Sequence, residues 1–384
     1  MFFSSIPGKI KEKHDLIRMV RESKVPHAQL FLGKEGSGTL PLALAYISYI
    51  LCTDKGEDSC GKCKNCVQSH KMIHPDVHFS FPVVKLDEKK RDETTSDDFM
   101  PLWRATLAVE PFMNVSDWQK AMEAETSKPN INVKECSDIL RKLGLQSFMD
   151  GPKILIMWLP EYLGKEGNRL LKLIEEPTPD TLIIFVAEDQ DLILNTVLSR
   201  CQLIKVSSYQ EHEINQYLRT EIGVSEQATH QITNVSLGNI NKALKMAKGD
   251  EMDFSESLFD WLRTCYTGDA LAISSKVTTM NSLTVDQKIQ FFDYGLHYLR
   301  SFCFLINTGR TNCGMTEKEL EVSEKMKNVL DMNKLELIYN ILDNSILHIK
   351  RNGNFKINFT ADCIQIGDIL RNRTITFAGQ VKFA

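Results

Sequence analysis

Two groups of residues in this chain have types and spacings that do chemistry. The first is Gly33-Lys34-Glu35-Gly36-Ser37-Gly38-Thr39-Leu40, between the apolar run Ala28–Leu32 and the helix-like Pro41-Leu42-Ala43-Leu44-Ala45-Tyr46-Ile47. Strand, glycine-rich turn and helix form the context of a phosphate-binding loop. Glycines let backbone N–H groups close around phosphate, and the helix N-terminus favours negative charge. Yet Thr39 stands where a lysine would meet the β- and γ-phosphates, and Leu40 where a hydroxyl would hold Mg²⁺. The expectation is a degenerate loop in which Gly33, Gly36, Gly38 and Thr39 keep the shape but bind nucleotide weakly or not at all. Residual ADP or phosphate on the bare N–H groups is compatible with it.

The second group is Cys52, Cys60, Cys63 and Cys66, spaced C-x7-C-x2-C-x2-C in a Gly/Lys/Asn-rich stretch. Four thiols so spaced can converge on one tetrahedral ion, and Zn²⁺ is the usual occupant of an all-cysteine site. Four protein ligands leave no open position for water, so the zinc is expected to be structural. His70 and His74 lie nearby, but the cysteines already complete the shell, and both read as ordinary helix-end and loop histidines.

The elements that position these groups follow from the apolar pattern. A chain of 384 residues, 42% hydrophobic and 25% charged, is long enough for two or three packed domains. The net charge of -4 argues against nucleic-acid binding through the overall field alone. No apolar stretch nears membrane-spanning length and no signal pattern opens the chain, so a cytoplasmic protein is expected. Of ten cysteines, four crowd into residues 52–66, which is metal-site usage and not a disulfide framework.

Helix is expected over 11–22, strand over 28–32, and helix from the loop to about Leu51. Residues 77–84 alternate as a half-buried strand, and the polar run 85–98 reads as a solvated loop. Helical patterns surround Trp103 and Trp118, inside an insertion over 85–128 to which the sequence assigns no role. A helix over 131–145 turns Val133, Ile139, Leu140 and Leu143 inward. Lys153–Trp158 reads as a central parallel strand, 167–177 as one amphipathic helix, and Thr181–Ala187 and 203–206 as further strands. From 28 to 206 strands alternate with helices, which predicts a parallel sheet covered on both sides; beyond Tyr209 the patterns are helical only. In a working P-loop ATPase the tip of the central strand carries acidic residues, and here Trp158 and Leu159 hold those places. Glu161 reads as an exposed helix-start glutamate.

His27-Ala28-Gln29-Leu30-Phe31 before the loop, the four-cysteine insertion after its helix, Asn168 through Pro177, and above all Ser199-Arg200-Cys201 resemble the bacterial DNA polymerase III clamp-loader family. Within it they resemble the delta-prime subunits, AAA+ proteins related to the ATP-hydrolysing gamma/tau subunit. The resemblance covers residues 6–246. The C-terminal third agrees only in helical character and in Asn352-Gly353-Asn354-Phe355. It implies an α/β fold: an AAA+ P-loop core with parallel sheet over 1–207, carrying the zinc module 52–66. A helical lid over 208–250 and a helical collar over 251–384 follow.

It also implies a non-catalytic subunit that helps load the sliding clamp onto primed DNA. Its partners would be gamma/tau and delta subunits in a hetero-pentamer, together with the clamp and primed DNA. Arg200, flanked by Ser199 and Cys201, occupies the place of an arginine lent to the neighbouring subunit's ATP site. A guanidinium is permanently charged and can fork onto phosphate oxygens, which suits that role. The plainer alternative is that Arg200 pairs with a local carboxylate such as Asp189. Asn241 stands where active relatives carry a nucleotide-sensing arginine. Two other functions remain open on the residues: an ATPase with rearranged ligands Lys34 and Glu161, and a stand-alone zinc-containing DNA-binding protein using Lys62 and Lys64.

Overall fold

The structure, a computed structural model, describes residues 1–86, 93–125, 127–149, 151–249, 254–309, 315–351 and 353–372. Its elements begin with α1 (Ile10–Arg21), β1 (Ala28–Leu32), α2 (Thr39–Leu51), α3 (Lys64–His70), β2 (Val77–Ser80), α4 (Ser96–Val109) and α5 (Val115–Ala121). There follow α6 (Val133–Leu143), β3 (Lys153–Trp158), α7 (Leu171–Glu175), β4 (Thr181–Ala187), α8 (Asn195–Leu198), β5 (Gln202–Lys205) and α9 (Glu211–Tyr217). The chain then runs through α10 (Glu226–Ser236) and α11 (Ile240–Lys248). It divides into two compact units: Met1–Gly223 with Ser236–Leu244, and Val224–Val235 with Lys245–Ala384.

The first unit is built on a five-stranded parallel sheet of order β2-β3-β4-β1-β5. Successive strand residues point to opposite faces, so continuous apolar runs feed two cores at once. Phe31, Ile154, Ile156, Trp158, Ile184 and Val186 pack on one face with α2, Trp103 and Trp118. Leu30, Leu155, Met157, Ile183 and Phe185 pack on the other with Cys136, Ile139, Leu143 and Ile174. The interior strands β1, β3 and β4 are the ones the sequence reads most directly. The edge strand β5 is exposed at Gln202, Leu203 and Lys205.

Several expectations are corrected. Strand β2 stops at Ser80, and the run through Val84 is buried instead of half-buried, because two tryptophans sit over it. Phe81 stacks on Trp103 at 4.0 Å and meets Trp118 edge-on at 5.3 Å. Truncating such a buried aromatic to alanine costs about 3–5 kcal/mol. Of the run read as a solvated loop, residues 87–92 lie outside the described residues, but Thr94, Thr95 and Ser96 are buried. Their polar atoms are satisfied: Thr95 N donates to Asp98 in a capping box, and Ser96 N donates to Glu135 Oε2 at 2.8 Å. In α6, Ile139 and Leu143 face inward with Cys136, while Val133 and Leu140 are exposed. The stretch 167–177 is not one helix. A 3-10 segment Pro160–Leu170, interrupted at Gly164, hands over to the short α7.

The second unit is helical in its described part: α12 (Ser255–Thr267), α13 (Ala270–Asn281), α14 (Val285–Thr308), α15 (Glu317–Met326), α16 (Met332–Lys350) and α17 (Phe355–Leu370). Trp261 stacks on Phe359 at 5.1 Å, and its indole N–H donates to Cys363 Sγ at 3.1 Å. Phe291, Phe292 and Phe302 are fully buried around them. Asn354 caps α17 by accepting from Ile357 N at 3.3 Å; Asn352 of that motif lies outside the described residues. Among the described residues no helix is long and apolar enough to cross a membrane.

Candidate functional site

The loop Gly33–Thr39 leaves the carboxyl end of β1, where open parallel sheets place their ligands. Gly33 N donates to Ala187 O at 3.1 Å, tying the loop to the end of β4. Gly36 and Gly38 adopt φ of 70° and 79°, the left-handed region that favours glycine. The loop therefore has the backbone of a phosphate cradle, and side chains of this chain pack against its glycines. Thr39 is buried and its hydroxyl lies 2.7 Å from Ser37 Oγ, inside the loop. Asn239 Oδ1 sits 1.8 Å from where a Cβ on Gly36 would be, and Ile240 N donates to Gly36 O at 3.0 Å. Asn239 Nδ2 and Asn114 Nδ2 both donate to Glu35 Oε1, at 3.3 and 3.0 Å. On the far side the hydroxyl of Tyr209 lies 2.2 Å from where a Cβ on Gly38 would be. Burial raises that phenol, so it stays neutral, and Lys9 Nζ covers its ring at 4.0 Å.

The other loop-side candidates are drawn elsewhere. Asn241 donates to Phe112 O at 2.8 Å and Asp117 Oδ2 at 2.6 Å, holding α5 and not the loop. Trp158 and Leu159 are buried in the sheet core. Glu161 stands in the first turn of the 3-10 segment Pro160–Leu170, but it is half-buried and not exposed. Its Oε1 accepts from Glu188 N at 2.6 Å and Asp189 N at 2.8 Å, and burial pushes its carboxyl up despite those bonds. Lys34 is exposed.

Ser199, Arg200 and Cys201 form the turn between α8 and β5. Arg200 Nε donates to Glu175 Oε1 at 2.6 Å, and Nη1 donates to Thr196 O at 2.8 Å and Ser199 Oγ at 3.2 Å. The local carboxylate is thus Glu175 at the end of α7, not Asp189, which accepts from Asp191 N. Cys201 packs against the sheet core, and that burial pushes its thiol up to about 12.

The four cysteine sulfurs lie within 4.8 Å of one another, and Cys60 Sγ is 3.9 Å from Cys66 Sγ. A tetrahedral Zn²⁺ with bonds of about 2.3 Å needs sulfurs about 3.8 Å apart, so the set fits. Backbone N–H groups aim at the sulfurs: Cys60 N at Cys52, Cys63 N at Cys60, and Cys66 N at Cys63, at 3.3, 3.3 and 3.4 Å. Backbone N–H donors bring the Cys60 and Cys63 thiols down, while burial pushes those of Cys52 and Cys66 up. Such donors stabilise the thiolates a metal requires. His70 meets Phe2 edge-on at 4.2 Å, and His74 Nδ1 accepts from Asp76 N at 3.2 Å. The module is also a clasp. Asp58 accepts from Phe3 N and Ser4 N, and the Phe2 ring lies 2.7 Å from where a Cβ on Gly61 would be.

Sequence reasoning missed Asn239, Tyr209 and Glu175. The first two are remote from the loop in sequence. The last carries only the faint signal of a carboxylate just before a helix-ending Pro177.

The family model described as DNA polymerase III, delta subunit, matches residues 8–210. The DNA polymerase III subunit delta′ of Bacillus subtilis (strain 168) is 26% identical over 242 residues, 63% of this chain and 59% of that protein. The subunit delta′ of Escherichia coli (strain K12) is 24% identical over 247 residues, 63% of this chain and 61% of that protein. The chain thus spans less than two thirds of the length of these curated relatives. Among solved structures, a DNA polymerase III gamma subunit-related protein from Thermotoga maritima gives a TM-score of 0.37 at 13% identity, covering 94% of this chain and 100% of that one. The family match takes in the sheet, the glycine loop, the cysteine module and Arg200, and with it the chain belongs to the DNA polymerase III delta-subunit family, whose delta′ members it resembles.

Proposed function

We propose that this chain is a non-hydrolysing subunit of the DNA polymerase III clamp loader, helping to place the sliding clamp on primed DNA. Arg200 serves the ATP site of a neighbouring subunit. The observation that carries this reading is how the loop is packed: Thr39 turned inward to Ser37, and Asn239 pressed against Gly36. Phosphoryl transfer is positioning and charge neutralisation, and this loop has Thr39 in place of the phosphate-contacting lysine and Leu40 in place of the Mg²⁺-holding hydroxyl. The division into core (1–207), lid (208–250) and collar (251–384) belongs to the same proposal. So do the gamma/tau and delta partners, the hetero-pentamer and the cytoplasmic location. Structural zinc at Cys52, Cys60, Cys63 and Cys66 is supported by the spacing of the sulfurs.

The test is hydrolysis by the purified chain and by the complex rebuilt with its other subunits. The chain alone is expected to show no turnover. Arg200→Ala is expected to lower the clamp- and DNA-stimulated rate of the complex at least about a hundredfold. Full activity of that variant complex would reject the arginine's role, and turnover by the lone chain, lost in Lys34→Ala, would instead establish an ATPase. Glu161 offers that alternative little support, since backbone N–H groups already hold it.

A further inference from the structure

Arg200 reaches the surface already engaged. Nε and Nη2 both donate to Glu175 Oε1, at 2.6 and 2.5 Å, while Nη1 is shared between Thr196 O and Ser199 Oγ. A guanidinium forks onto an anion through adjacent N–H groups. Here the Nε–Nη2 edge of that fork is spent on a carboxylate of the same chain. Glu175 is the last residue of α7, and Pro177 prevents the helix from continuing, so where the helix stops fixes where the carboxylate stands. Arg200 and Glu175 keep 36% and 46% of their side-chain surface exposed. An ion pair this open is held weakly and exchanges readily.

We propose that Glu175 is a positioning residue, a counter-ion latch that holds Arg200 against α7 until a triphosphate on a neighbouring chain displaces it. The latch rests on the role of Arg200 proposed above. While paired, the arginine presents little net charge to its surroundings. A triphosphate carries more negative charge than one carboxylate and offers oxygens to the same fork, so it wins the exchange when it is held opposite. Arg200 is thereby kept from acting before the neighbouring site is loaded and aligned.

The experiment uses the rebuilt complex carrying Glu175→Gln, Arg200→Ala or both, with ATP hydrolysis measured in the absence of clamp and DNA. Glutamine keeps the size of the side chain and an oxygen acceptor but removes the charge. The unstimulated rate of Glu175→Gln is expected to rise roughly two- to fivefold, the range a weak exposed pair can supply. The double variant is expected to match Arg200→Ala, because the glutamate acts only through the arginine. A purely structural role for Glu175 would not cancel in this way. A Glu175→Gln rate at or below wild type, beside an Arg200→Ala complex that has lost activity, overturns the latch and leaves the arginine's role standing. An Arg200→Ala complex with full activity overturns both.

Discussion

The hydroxyl of Ser345 lies 2.8 Å from Ile341 O and 2.8 Å from Asp362 Oδ2, and it has one proton to give. Given to Asp362 Oδ2, it holds the carboxyl down. Burial acts the other way and outweighs it, pushing Asp362 up from 3.8 to about 7. A raised carboxylate means that the folded state holds a proton the unfolded chain has released. Stability is therefore full at low pH and falls as pH climbs from the unfolded value through the folded one. The second unit is expected to lose about 2 kcal/mol between about pH 5.5 and about pH 8 from this group alone. Asp362→Asn should flatten that slope. Hydrogen-exchange protection of α16 and α17, corrected for the intrinsic effect of pH, reads it. A slope equally steep in the asparagine variant would show that Asp362 is already ionised. No spacing in the sequence announces this proton, since it depends on a contact between two helices.

At the level of elements, the cysteine module is stitched to what precedes it. Tyr49 of α2 and Arg21 at the end of α1 both donate to Gly56 O, at 3.0 and 2.8 Å. Asn65 Nδ2 donates to Leu51 O at 2.9 Å. A metal held by the four thiols would therefore organise a clasp over the first residues as well as its own loop. Purified without chelator, the chain is expected to carry one zinc. Cys63→Ser, or chelation of the wild type, should speed proteolysis within residues 1–9 by about tenfold or more, because release of a structural metal frees the loop it folds. Unchanged cleavage and no metal by elemental analysis would rule the site out. Elements were legible where one force decides them. Strands β1, β3 and β4 are mostly apolar because both faces are covered, and α2 follows a turn that only glycine makes easily. They were illegible where tertiary contacts overrule local pattern. Thr94, Thr95 and Ser96 are buried, with Thr95 and Asp98 forming the capping box of α4, and the run 167–177 divides where the 3-10 segment ending at Leu170 hands over to α7.

For the molecule as a whole, the two units carry separate cores, and the family match over 8–210 falls entirely within the first. Of the candidate site, the sequence shows the missing lysine, the missing Mg²⁺ ligand, the four thiols and the arginine, all matters of residue type and spacing. It does not show what packs against the loop's glycines, because Asn239 and Tyr209 arrive from far along the chain. Under the proposed loss of hydrolysis, their arrival makes that loss hard to undo. A designer who wrote Thr39→Lys and Leu40→Ser would restore the letters of an ATPase without the room in which it works. Calorimetry on that revertant is expected to record no ATP uptake until Asn239→Ala is added, so the way back to hydrolysis runs through a residue two hundred positions distant from the letters themselves.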